Sequence, residues 1–280
     1  MERVSIAPKN RPIERAQFKK VGLIDADFLK YHVTLDIEKF FKRGGDLIGK
    51  YGEDYVYHFT KKKMDEKINS KFSTWGNLYC FSAPSKNTFR FNISLEKKYK
   101  GNRKGKDESY PNQFDDMAKV VECVGRHNTV VMYPWLEADD LLSCLQNEYT
   151  MIYSYDKDMK QVVGSHYNMD FNRLDEISNE QAACFIAYQL LRGDTGDNIP
   201  GFPGMGEKKV ALYLKDIRPA KQIQACYDIY IKNFGIFKGT EMFVETWNLV
   251  KLRSDRGTYF KETVDVAFRL RDELIKSNKL

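Results

Sequence analysis

An α/β fold is what this 280-residue sequence predicts: a mostly parallel central sheet flanked by helices, leading into a helical C-terminal region. Three observations carry that expectation. Short apolar runs that read as buried strands alternate with segments of helical periodicity, the pattern of a parallel sheet. Strand signals become sparse after about residue 175, whereas helical patterns continue. No repeat, low-complexity tract or flexible linker separates the two regions. The chain therefore divides into an arm over 1–20, an α/β core over 21–175 and a helical region over 176–280.

The arm is basic and polar, and reads as loosely ordered. Val21-Gly-Leu-Ile-Asp25 is an apolar run that ends in a carboxylate, as expected of a buried parallel strand. Residues 27–42 can form a helix, and glycines 44, 45, 49 and 52 then break the chain. A helix with Lys-rich faces over 53–72 leads to a second strand over 77–82. Helical patterns over 112–126 and 137–148 enclose a strand at 129–133, and another strand, 150–155, runs into Asp156. In parallel sheets ligands bind at the carboxyl ends of strands. That rule places Asp25, Ser82, the start of the 137 helix and Asp156 on one rim. Beyond the core, Ser178 caps a helix to Leu191, with Gln181 three residues on as its capping-box partner. A Gly/Pro-rich hairpin over 193–206 follows, and then helical patterns at 207–215, 220–233, 240–253 and 267–278.

Composition removes several classes. Hydrophobic residues make up 42% and aromatics 14%, too many for a disordered or collagen-like chain. No apolar run approaches the ~18 residues of a membrane span. The N-terminus is charged and lacks the apolar stretch of a secretory signal. Five single cysteines with no C-x-x-C pair point to reduced thiols in a cytosol-like compartment, not to disulfides or a zinc site. The formal charge is +6, so the placement of charge matters more than its sum.

Three acidic clusters stand out: Glu137-Ala-Asp139-Asp140, Asp156-Lys-Asp158 and Asp194-Thr-Gly-Asp197. Taken singly, each has an ordinary explanation. Acids in a first helical turn favour the helix dipole, and Asp is a common turn residue. Gathered with Asp25 at one rim, they would repel and raise one another's pKa unless a cation neutralised them. An all-oxygen ligand set selects hard ions such as Mg²⁺ or Mn²⁺. Two such ions about 3.5–4 Å apart form the usual clamp for phosphodiester hydrolysis.

Residues 97–110, KKYKGNRKGKDESY, contain six Lys or Arg and two acids. An isolated charge run is often only a solvated loop. The functional alternative is phosphate capture by Lys100, Arg103, Lys104 and Lys106, with Tyr99 stacking on a base. Were a helix to begin here, Lys100 and Arg103 would share a face and could grip a scissile phosphate. More specific is the hairpin with Gly201, Gly204 and Gly206, followed by Lys208 and Lys209 at the start of an amphipathic helix. Glycines permit close approach of backbone N–H groups to a phosphate, and a helix N-terminus favours an anion. This is the helix-hairpin-helix pattern of DNA binders that do not read sequence.

Asp25 after a strand, YKGNR (99–103), EADD (137–140), DKD (156–158), GDTGDN (193–198) and GFPGMGEKK (201–209) follow one another in a familiar order. In these motifs the chain resembles the 5′-nuclease or flap endonuclease superfamily, most closely its bacteriophage 5′-3′ exonucleases. It is also similar to the ribonuclease H of T-even phages and to the 5′-nuclease domain of bacterial DNA polymerase I. The resemblance covers residues ~21–215 well and the C-terminal helices loosely.

It implies a PIN-like core with a helical arch, its basic segment over 97–127, and a helix-hairpin-helix region. It implies structure-selective hydrolysis of DNA at 5′ ends or 5′ flaps, extending to the RNA of RNA–DNA hybrids, in replication or repair. By motif match, Asp25, Glu137, Asp139, Asp140, Asp156, Asp158, Asp194 and Asp197 are the ligands of two Mg²⁺ or Mn²⁺ ions. Lys100 and Arg103 match a catalytic basic pair, Tyr99 its neighbouring aromatic, and the hairpin a duplex-backbone element that holds a K⁺. A monomer in the cytoplasm, that of a host cell if the source is a phage, completes the expectation. One departure is visible. The family usually carries an Asp at the end of the second core strand, where this chain has Ser82-Ala83. That substitution keeps open a catalytically silent DNA-junction binder of the same fold. A small-molecule phosphatase would need neither the basic segment nor the hairpin.

Overall fold

The computed structural model describes residues 16–17, 19–83, 88–102, 112–169 and 171–254. In chain order its strands are β1 (Ala16–Gln17), β2 (Val21–Asp25), β3 (Phe72–Ser73), β4 (Gly76–Phe81), β5 (Thr129–Met132), β6 (Thr150–Ser154), β7 (Gly164–Asn168), β8 (Arg173–Ile177), β9 (Gly193–Asp194) and β10 (Ile199–Pro200). The helices are α1 (Asp27–Lys42), α2 (Leu47–Tyr51), α3 (Tyr55–Met64), α4 (Arg90–Ile93), α5 (Gln113–Gly125), α6 (Ala138–Leu145), α7 (Asn179–Arg192), α8 (Glu207–Leu214), α9 (Pro219–Phe234) and α10 (Ile236–Val250). Among the described residues no helix is long and apolar enough to cross a membrane.

Six strands form the central sheet in the order β5-β4-β2-β6-β7-β8. All neighbours are parallel except the edge pair β7–β8, which is antiparallel. β2 and β6 lie in the middle, and their apolar runs are buried because helices cover both faces of the sheet. The chain first builds outward from β2 to β4 and β5, then returns to place β6 on the other flank of β2. That reversal makes the gap between the carboxyl ends of β2 and β6 the topological switch point, where open α/β sheets bind ligands.

One apolar cluster packs α1, α3 and α5 on the sheet through Leu29, Val33, Phe59 and Val120. A second packs α6 on the opposite side through Leu141, Leu142 and Leu145, and includes Leu252 from beyond α10. A third is helical, with Leu190 of α7, Val210 of α8, Tyr230 of α9 and Leu249 of α10. The buried residues of α6 include seven of its eight, which explains why this short element sits so firmly against β2 and β4.

Several expectations change. The hairpin β7–β8 extends the sheet where the sequence shows two short, largely polar segments with no sustained apolar run. The 137–148 pattern yields the shorter α6, because Gln146 turns extended and Asn147 ties down the next turn through Tyr149 N–H. The helix expected over 53–72 finishes with a π-helical turn, Asp65–Asn69. Part of the arm is ordered, since β1 pairs in parallel with β3. The expected arch segment narrows, because α5 packs on α1 and α3 as a core helix. Residues 103–111 and the helix expected at 267–278 lie outside the described residues.

Candidate active site

Asp25 ends β2 at the switch point. Its Oδ2 accepts a 2.7 Å hydrogen bond from the Ser154 hydroxyl at the end of β6. Ser154 Oγ in turn accepts the Asp156 N–H at 2.9 Å. One hydroxyl therefore fixes the spacing between the first two acids of the rim.

The EADD segment enters from the β4 side. Ser82, where the missing Asp would stand, uses its Oγ to accept the Ala138 N–H at 2.9 Å. It thus satisfies one of the first N–H groups of α6, which have no partner within the helix. Its own N–H donates to Asp27 Oδ1 at 3.2 Å, and Lys30 Nζ meets the same oxygen at 2.7 Å. A carboxylate thus remains at this corner, supplied by α1 instead of by the strand.

Asp140 is wholly buried, and both its oxygens are gripped by Arg90, at 2.6 and 2.8 Å. Arg90 Nη1 also reaches Glu137 Oε2 at 3.1 Å, and Nε donates to the Leu249 carbonyl at 2.9 Å. This occupation corrects the expectation for Asp140. Its oxygens hold Arg90 and the Arg253 N–H, so it anchors the rim from behind. Glu137 and Asp139 face the rim.

Tyr99 is also corrected. It is 2% exposed, with its ring edge-on to Phe91 at 5.2 Å, so it offers no face to a base. Its hydroxyl lies 2.6 Å from Glu137 Oε2 and 2.8 Å from Asp197 Oδ2. A phenol has one proton to share between these two acceptors. Lys100 takes a left-handed backbone, φ 53°, in a turn. No helix runs through it to align it with Arg103. Its ammonium is paired with Glu137, with Asp197 3.8 Å away. Burial pulls the Lys100 pKa down, but the attraction of Glu137 and Asp197 outweighs it and leaves the pKa raised.

The remaining acids sit opposite. Asp156 caps the following 3₁₀ turn, accepting the Asp158 N–H at 2.7 Å. Asp158 accepts from Gln189 Nε2 at 2.9 Å. Gln189 is held by Gln161, which also donates to the Val250 carbonyl. Asp194 Oδ1 closes its own loop on the Gly196 N–H at 2.7 Å, and Oδ2 meets Lys157 at 2.9 Å.

The acids feel one another. Burial first, then the charge of Asp27, pushes Asp25 up to about 7. Burial and the charges of Asp156 and Asp194 push Asp158 up to about 7. Asp139 is raised well above the usual carboxylate range, by burial and then by Glu137 and Asp140, and Asp156 is raised by burial. Glu137, Asp139, Asp158, Asp194 and Asp197 line a cavity of about 10 Å³, roughly the space one water or ion needs. Hard oxygen donors, mutual repulsion and a cavity of that size fit a divalent cation. The set is not ready-made: among the described residues no three His, Cys, Asp or Glu stand in ligating geometry. Arg90, Lys100 and Lys157 supply the positive charge meanwhile.

The hairpin follows α7 as expected. Phe202 pins it to Tyr230 and Phe234 of α9, at 5.0 and 5.4 Å between ring centroids. Gly204 (φ +76°) and Gly206 have open space where a side chain would be, as a phosphate approach requires. Gly201 does not: a Cβ there would lie 2.3–2.4 Å from the backbone of Leu191, Arg192 and Gly193, so this glycine serves internal packing. Lys208 and Lys209 are exposed at the start of α8. Arg103, Lys104 and Lys106 lie outside the described residues.

The sequence reading missed Arg90, Asp27, Ser154 and Gln189. Only Asp27 carried a signal, two residues after Asp25.

Comparison with known proteins shows what the chain is similar to. Residues 23–185 match the 5′-3′ exonuclease N-terminal resolvase-like domain. A 5′-3′ exonuclease of Buchnera aphidicola subsp. Acyrthosiphon pisum is 30% identical over 167 residues, 54% of this chain and 57% of the relative. The flap endonuclease Xni of Shewanella halifaxensis is 26% identical over 179 residues, 58% of this chain and 70% of the relative. The chain spans under two thirds of the length of the first curated relatives it matches. Among solved structures, the T5 D15 protein co-crystallised with metal ions superposes with a TM-score of 0.55 at 15% identity, over 91% of this chain and 98% of that one. At that identity the likeness shows the fold.

Proposed function

The chain belongs to the family of the 5′-3′ exonuclease N-terminal resolvase-like domain, and from that premise we propose that it is a divalent-metal-dependent 5′-nuclease cleaving DNA at 5′ ends or 5′ flaps. The convergence of Asp25, Glu137, Asp139, Asp156, Asp158, Asp194 and Asp197 at the sheet's switch point carries the reading. Similarity to the flap endonuclease Xni and to a T5 flap endonuclease crystallised with DNA and metal ions supports the DNA substrate.

Two Mg²⁺ or Mn²⁺ ions held by those carboxylates would supply charge neutralisation and activation of the attacking water. The chain's own groups do the rest. Ser154 sets the Asp25–Asp156 spacing. Arg90 and Tyr99 orient Glu137, and Gln189 orients Asp158. Lys100, paired with Glu137, is placed to meet the negative charge that develops on a phosphate at the rim. Lys208 and Lys209 at the hairpin grip the duplex backbone without reading bases.

The test incubates the protein with 5′-flap DNA, and in a parallel arm an RNA–DNA hybrid, in Mg²⁺ and in EDTA. Cleavage that needs the metal, and that Asp156→Asn with Asp158→Asn abolishes while leaving DNA binding intact, is the expected result. Full activity in that double variant overturns the metal-site assignment. Tight binding without cleavage in either ion would instead identify a silent junction binder.

A further inference from the structure

A second pocket lies on the other side of the loop that carries Asp194 and Asp197. It has a volume of about 340 Å³, and its lining includes Lys97, Asn102, Arg192, Thr195, Asn198 and Gly201. It contains two cations and no acid. Neither Lys97 nor Arg192 makes an ion pair among the described residues, unlike Arg90, Lys100 and Lys157 around the rim.

The pocket is held in shape by two amide clamps. Asn102 Nδ2 donates to the Thr195 carbonyl at 2.7 Å, and Asn198 Nδ2 donates to the Lys98 carbonyl at 2.9 Å. Asn198 takes a left-handed backbone, φ 59°, to do so. These bonds join the 97–102 segment to the 194–198 loop, so the two cations come from distant parts of the chain into one fixed concavity. Two like charges gathered there raise the energy of the empty pocket, and an anion relieves it.

We propose that this pocket binds a non-scissile phosphate of the nucleic-acid strand as it passes between the acidic rim and the hairpin. The position favours that ligand. Thr195 lies between rim acids Asp194 and Asp197 in sequence, and Gly201 opens the GFPGMGEKK stretch. The Arg192 guanidinium offers the planar fork that matches phosphate oxygens, Lys97 adds a point charge, and the exposed Thr195 hydroxyl is a further donor. A cation in the last turn of α7 also suits that helix's dipole. The dipole accounts for Arg192 alone, and not for Lys97 or the clamps that bring the two together. The inference rests on the nuclease reading, and assigns part of its substrate grip.

The experiment uses the full chain and a 5′-flap DNA. Binding is measured by fluorescence anisotropy in EDTA across about 50–200 mM salt. Lys97→Gln with Arg192→Gln is expected to flatten the slope of log K against log[salt] by about 0.9, the signature of one lost phosphate contact. In Mg²⁺ the double variant raises KM more than it lowers kcat, and Arg192→Lys recovers part of the loss. A single neutral methylphosphonate walked along the DNA should weaken wild-type binding at one non-scissile position to which the double variant is indifferent. An unchanged slope with an unchanged methylphosphonate profile overturns the proposal. So does a lowered Tm with no change in slope, which assigns Arg192 to the helix end. Failure of wild type to cleave in Mg²⁺ counts against the nuclease reading, while a flattened slope in the same experiment still supports the pocket.

Discussion

Arg90→Met tests whether the rim is assembled from behind. The substitution removes the cation from Asp140, which is wholly buried, and the donor from the Leu249 carbonyl. Breaking one side of a buried ion pair costs about 3–5 kcal/mol, because a charge is left uncompensated out of water. The whole folded state is worth only about 5–15 kcal/mol. At about 2–4 °C per kcal/mol for a chain of this size, Tm should fall by about 6–20 °C. The assay is thermal unfolding followed by circular dichroism in EDTA, so that no bound metal masks the loss. Replacing both partners is the decisive arm. Arg90→Met with Asp140→Leu leaves two apolar side chains and no orphaned charge, so it should recover at least half of the single variant's loss. A single variant within about 1 kcal/mol of wild type, or a double variant whose losses simply add, would refute the anchoring role.

Three further outcomes follow from the same geometry. In the folded protein Asp25 and Asp158 titrate near 7, whereas an unfolded carboxylate has already lost its proton by about pH 5. Their contribution to stability is therefore full in acid and falls as pH rises through 7. In EDTA, Tm should drop between pH 6 and 8, and Mg²⁺ should shrink that drop; a Tm that climbs over this window contradicts the crowded-rim electrostatics. Tyr99→Phe removes the phenolic proton shared between Glu137 and Asp197, and should cost about 1–3 kcal/mol in EDTA with no loss of aromatic packing; unchanged unfolding would show the hydroxyl to be idle. Lys208→Ala with Lys209→Ala should weaken binding to duplexes of any sequence and flatten the salt dependence; an unaltered dependence would remove the hairpin from the binding surface.

The parts of the site that were legible in the sequence are those with a local cause. Asp25 closes an apolar run, so both its strand and its place at the rim can be read directly. The glycine spacing of the hairpin announces a tight connection, although Gly201 is required by the Leu191–Gly193 backbone and not by a phosphate. What was illegible depends on distance along the chain. Arg90 sits in a four-residue helix, and its partners lie at 137, 140, 249 and 251, so nothing nearby marks it. Tyr99 beside a basic run looks like a stacking platform until the fold turns it inward to two carboxylates. The strands β7 and β8 lack a long apolar run, and pairing decides their structure more than their own side chains do: β7 pairs with β6, and β8 with β7 at the sheet's edge.

The segment just past α10 reaches back to the acidic helix. The Leu252 side chain fills the cluster under α6, the Arg253 N–H donates to Asp140 at 2.9 Å, and the Arg253 guanidinium covers the Phe89 ring at 4.5 Å. A ribosome makes α6 more than a hundred residues before it makes these contacts. The sheet can collapse as it emerges, since domains fold from the N-terminal side during synthesis. The EADD turn, however, keeps an unfinished backing until residue 253 has been added. A nascent chain therefore carries these acids before it has the support that fixes them.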